Sequence, residues 1–146
     1  MENVVRASED PEHLGRELAK WLAQESNDFA VVSLGDDQIF YAGFSNLVNK
    51  IKLQEDFDLF REFSNLVDEM DQHFFDIVDR INGRPQVFVG SDNQFSDEMS
   101  LVVTDVPFGR AKATVGLLGP LRMDYKENLA LLNYVKNKMG LWTSKQ

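Results

Sequence analysis

The chain has 146 residues, no cysteine and a formal charge of −9 from 24 acidic and 15 basic side chains. That length suits one domain with a core large enough to need no staple, and the lack of thiols excludes a disulfide framework, a thiolate metal site and a cysteine nucleophile. Scattered Lys and Arg weigh against direct binding to a phosphate backbone, and no apolar run approaches the roughly 18 residues of a membrane span, so a soluble cytoplasmic chain is expected.

Residues 1–9 show no periodicity and read as a leader or linker remnant. Asp10-Pro11 then supplies an N-cap followed by proline at the first helical position, and Leu14, Leu18, Trp21 and Leu22 fall on one stripe, which predicts a helix to about Gln24. Phe29–Leu34 reads as a strand, Gly35-Asp36-Asp37 as a tight turn and Gln38–Ala42 as its antiparallel partner. Residues 43–52 read as a loop or short turn of helix, with Asn46 its most interesting side chain. Apolar residues at helical spacing over 56–70 and 71–81 make a crossover closed by Asn82-Gly83. Three further strands are expected at 86–90, 99–106 and 113–118, joined by the polar loop 91–98 and the turn 107–112. Gly119-Pro120 breaks the last strand. Asp124 is a good N-cap with Glu127 three residues on, an Asp version of a capping box. The helix it starts carries Leu129, Leu132, Val135 and Met139 on one face, with Gly140 as its stop and residues 141–146 as a tail.

The order helix, two strands, helical crossover, three strands, helix points to a single α+β domain over residues 10–140. A five-stranded antiparallel sheet with the N- and C-terminal helices on one face and the crossover at an edge is the economical way to bury these stripes. That is a GAF-like or PAS-like layout.

Chemistry is sparse. His13 and His73 have no Gly-x-Ser-x-Gly nucleophile to serve. Asp68, Glu69, Asp71, His73 and Asp76 lie close in sequence, but helical spacing spreads them round a solvated face rather than gathering them on a metal. The loop 91–98 lacks the order of a calcium loop. Gly116 and Gly119 ahead of a helix resemble a phosphate cradle, yet Asp124 would occupy the positive helix end. Arg122 and Asp124 are read as fixing the strand-to-helix junction, and Asn46 as satisfying loop backbone. No catalytic residue, metal or cofactor is assigned, and the protein is expected not to be an enzyme.

The stretch Gly116-Leu-Leu-Gly119-Pro120-Leu-Arg122-Met123-Asp124-Tyr125 resembles the C-terminal signature of the heat-inducible transcription repressor HrcA, with Leu121 where that family has Thr. Gly43-Phe-Ser45-Asn46-Leu47 followed by Glu55-Asp-Phe57, and Val89-Gly-Ser-Asp-Asn93 ahead of Ser100–Val103, resemble the same family in the same order. The resemblance implies a GAF-like domain in a repressor of heat-shock operons that binds an inverted-repeat operator, CIRCE, through a winged helix, and that depends on the chaperonin GroEL. No winged-helix segment is expected ahead of residue 10, and the short hairpin near Gly35 stands where the family carries a dimerising insertion. The chain is therefore expected to be the regulatory and association half of an HrcA-like repressor. A free-standing GAF or PAS ligand sensor is the alternative. Trp21 and Trp142, on or beside the terminal helices, are flagged as anchors of a weak homodimer.

Overall fold

The computed structural model describes residues 10–35, 38–53, 57–69, 72, 74, 81, 85–89, 99–108 and 111–144. In chain order they form α1 (Pro11–Ser26), β1 (Phe29–Leu34), β2 (Gln38–Ala42), α2 (Phe44–Leu53), α3 (Phe57–Asp68), β3 (Gln86–Val89), β4 (Met99–Phe108), β5 (Ala111–Pro120) and α4 (Tyr125–Ser144). The strands make one sheet in the order β2-β1-β5-β4-β3, and every neighbouring pair is antiparallel. The expected α+β, GAF-like architecture is thus present. Among the described residues no helix is long and apolar enough to cross a membrane.

Alternation along the strands divides the core in two. One face presents Ala30, Val32, Leu34, Val102, Val106, Ala113, Val115 and Leu117, and it is covered by Leu14, Leu18 and Leu22 of α1 with Leu132, Val135 and Met139 of α4. Both terminal helices share this face, as their stripes require. The other face presents Phe29, Val31, Met99, Leu101, Val103 and Leu118 and is covered by Leu47 of α2 and by Phe74. Phe74, from the expected crossover, thus packs under β5 and β4 beside Gly116 and Leu101 rather than at an edge of the sheet. The reason is visible in β1, whose six residues are all buried: a central strand with two apolar faces needs cover on both.

The local starts are as the sequence prescribes. Asp10 accepts from the amide of Glu12 at 3.1 Å and Pro11 opens α1, while Asn27 ends that helix in the left-handed conformation, donating its N–H to the carbonyl of Ala23.

Three boundaries differ from expectation. Residues 44–53 form a full helix rather than a loop or short turn of helix, because Leu47 has a core to enter. β4 and β5 extend to a last pair at Phe108 and Ala111, and at the other end Pro120 closes β5, a terminal position where its missing N–H interrupts nothing. Finally, α4 runs through Gly140 to Ser144. A glycine inside a helix costs about 1 kcal/mol but does not end it, and Gly140 lacks the positive φ of a helix stop. The expected second crossover helix and the polar loop 91–98 lie largely or wholly outside the described residues.

Candidate functional site

At the end of the sheet where β1 begins, one acidic residue gathers partners from three helices. Asp28 sits between the left-handed Asn27 and the apolar strand β1, and is only 2% exposed. A carboxylate in that position must be paired and hydrogen-bonded. Lys50 of α2 donates to its Oδ1 at 2.5 Å and Asn128 of α4 donates to its Oδ2 at 2.9 Å. Its own amide donates to Ser26 Oγ at 3.1 Å, closing the turn out of α1.

The backbone around it is tied down by Asn46, one helical turn before Lys50 and so on the same side of α2. Its amide nitrogen donates to the carbonyl of Ala23 at 3.1 Å and to that of Asp28 at 2.9 Å. The Ala23 carbonyl also accepts from the Asn27 amide, so Asn46 adds a second donor at the end of α1 and ties it to the Asp28 carbonyl just beyond. Two glycines leave room for the cluster. Gly43 has φ +88°, and a Cβ there would stand 2.5 Å from the Asp28 carbonyl oxygen; one on Gly119 would stand 2.6 Å from Asp28 Oδ1.

The junction into α4 is equally specified. The Asp124 carboxylate accepts from the amide of Glu127 at 3.1 Å, as a cap should, and Met123 donates its amide to the Pro120 carbonyl at 3.0 Å. Met123 is buried, and its Sδ lies 3.4 Å from the Asn128 amide nitrogen. Tyr125 reaches back to the sheet: its hydroxyl donates to the carbonyl of Leu121 and accepts from Ser100 Oγ at 2.6 Å. Asp124→Ala is expected to destabilise the domain by about 0.5–2 kcal/mol. Urea unfolding checks this, and an unchanged midpoint at unchanged slope would remove the capping role.

The residues singled out in the sequence divide accordingly. Gly43, Asn46, Gly119 and Met123 converge on Asp28, with Asp124 and Tyr125 holding the next turn. Leu47 and Gly116 belong instead to the crossover face, where a Cβ on Gly116 would stand 3.1 Å from Phe74. Pro120 ends β5, while Ser45 and Arg122 are exposed. Trp21 stacks on Tyr134 of α4 with ring centroids 5.9 Å apart, so it has an aromatic partner within the chain. The side chain of Trp142 lies outside the described residues. Asp28, Lys50 and Asn128 went unnoticed in the sequence.

Chemically the arrangement binds and braces. An open cleft of about 410 Å³ lies beside it, lined by Glu25, Asp28, Lys50, Asp124, Glu127 and Asn128 among others. Both Asp28 oxygens are committed to donors, which leaves them poorly placed to take a proton from a substrate. Among the described residues no group of three or more His, Cys, Asp or Glu could hold a metal ion.

Comparison with known proteins gives a consistent picture. The model of the HrcA protein C terminal domain matches residues 2–128. The heat-inducible transcription repressor HrcA of Ruminiclostridium cellulolyticum is 25% identical over 115 residues, which are 75% of this chain and 33% of that protein. That of Acetivibrio thermocellus is 28% identical over 114 residues, 75% of this chain and 32% of the relative. The chain thus spans about a third of the length of the curated relatives it matches. Among solved structures, a crystal structure of a hypothetical protein aligns with a TM-score of 0.58 at 16% identity, covering 75% of this chain and 33% of that one, a likeness of fold alone.

Proposed function

Since the chain belongs to the HrcA C-terminal domain family, we propose that it is the regulatory domain of a heat-shock transcription repressor and that operator DNA is contacted by a winged-helix domain outside these 146 residues. The observation that carries this reading is the convergence on Asp28. The first and last of the segments that resemble the family supply Asn46, Gly43 and Gly119 to one buried junction, where they brace helices instead of presenting groups to a substrate. A non-enzymatic role is part of the proposal. So is the division of labour with DNA, because a domain of net charge −9 repels a phosphate backbone. A ligand sensor has less support, since the sheet face under the crossover is filled by Phe29, Phe74, Leu101 and Leu118.

Anisotropy titration of the chain against CIRCE and scrambled duplexes at physiological salt tests it. The expected result is no sequence preference. Submicromolar binding that favours CIRCE would overturn the division of labour.

A further inference from the structure

We propose that the outer edge of β2 is an interface with a second copy of this chain, in which two β2 strands pair antiparallel about a two-fold axis at Phe40. β2 is the longer of the two edge strands, five residues against the four of β3, and among the described residues no strand lies beyond it in the sheet. A strand at an edge offers its backbone N–H and C=O groups to whatever strand can pair with them. Proteins guard such edges with lysine, proline or an inward-pointing charge, and Gln38-Ile-Phe-Tyr-Ala42 contains none of these. Its β-branched and aromatic residues instead favour strand pairing.

The sequence of the strand selects the occupant. Opposed residues of an antiparallel pair lie on one face of the sheet, so an axis at Phe40 sets Phe40 against Phe40, Ile39 against Tyr41 and Gln38 against Ala42, using all five positions. Pairs of aromatics, and aromatics against β-branched residues, are favourable cross-strand combinations. A shift of two residues either way leaves only three paired positions, so this register is preferred. The strand is complementary to itself, as an isologous dimer requires. Its two faces agree with the pairing. Phe40 is half-buried on the α1 side, where Arg16 stands over its ring at 6.0 Å and is itself paired with Glu12 at 2.7 Å. Each copy therefore brings a balanced ion pair near the axis rather than a bare charge. Tyr41 is 43% exposed on the other face, stacked on Phe29 with ring centroids 6.1 Å apart, and Ile39 packs on that face too. Five residues of strand pairing fall short of the roughly 1,200 Å² of a stable interface, so the dimer is weak, with a Kd on the order of 100 μM. Each copy carries a charge of −9, so salt should strengthen the pairing by screening the repulsion.

Sedimentation of the intact chain from about 10 μM to about 500 μM should show a monomer passing into a dimer. Tyr41→Asp, which sets a carboxylate against the partner copy's apolar edge, should return it to a monomer with an unchanged circular-dichroism spectrum. The register is read separately by crosslinking, for which the chain is suited because it has no cysteine. Ile39→Cys protein is mixed with Tyr41→Cys protein and oxidised. Opposed residues have Cα atoms about 4.5–5.5 Å apart, within disulfide reach, whereas two copies of residue 39, or of residue 41, are diagonal neighbours at roughly 7–8 Å. The mixture should form its mixed disulfide at least about tenfold faster than either protein crosslinks alone. Equal rates, or a dimer that Tyr41→Asp leaves intact, would overturn the proposal. So would a strict monomer through the whole range, by leaving the edge to a strand of another protein.

Discussion

Asp28→Ala should lower the unfolding free energy by about 2–4 kcal/mol, a large share of the roughly 5–15 kcal/mol that a domain of this size has in total. The substitution removes two acceptor oxygens and leaves two donors. Asn128 is 3% exposed, so its amide loses an acceptor where water does not easily replace it, the costly kind of loss. The Lys50 side chain is 27% exposed and can turn its ammonium towards solvent, so its share is discounted. Asp28→Asn should fall between, because one oxygen survives while an amide faces a donor. Urea unfolding at constant slope reads both. A loss under about 0.5 kcal/mol for the alanine would reduce the junction to ordinary surface packing.

Gly43→Ala should cost about 2–5 kcal/mol, from two sources that can be separated. Left-handed backbone is worth roughly 1–2 kcal/mol against any residue with a Cβ, and φ at Gly43 is +88°. The rest is space: the added carbon would meet the Asp28 carbonyl oxygen at 2.5 Å, Ala23 Cβ at 2.8 Å and Asn46 Nδ2 at 2.9 Å. Two of these belong to the hydrogen bond from Asn46 to Asp28, so relief comes only by breaking it. Gly35 supplies the control. Its φ is +66° with nothing within 4 Å of a built Cβ, so Gly35→Ala should show the conformational part alone. Equal losses at the two positions would mean that the space at Gly43 does not matter.

These effects explain which parts of the molecule were legible in the sequence. β1 and β2 follow from a run of apolar and alternating residues around a glycine turn, and their ends match to the residue. The caps Asp10 and Asp124 are local devices readable from three or four neighbours. By contrast, the helix over residues 44–53 owes its existence to tertiary contacts of Leu47 and Lys50, which local propensity does not report. Gly140 reads as a stop in the sequence because a stop and a tolerated interior glycine look alike without the backbone angle.

The cluster at Asp28 was the hardest to see. Its partners lie 22 and 100 residues away along the chain, and no period or motif joins them. A signal was nonetheless present. An aspartate directly ahead of a strand of six buried residues must itself be near the core, and such a charge requires donors. Asn46 and Lys50 at helical spacing, with glycines at 43 and 119, were the available candidates. Gly43 and Gly119, in two of the segments that resemble the family, are explained by the carboxylate they surround rather than by turn geometry alone.

The most direct test of this account is a double-mutant cycle on Asp28 and Asn128, each replaced by alanine singly and together, with urea unfolding of all four proteins. If the hydrogen bond at 2.9 Å ties the start of β1 to the C-terminal helix, the two losses will be non-additive, with a coupling of about 1 kcal/mol or more. Losses that add to within about 0.3–0.5 kcal/mol would contradict it, since independent sites behave in that way.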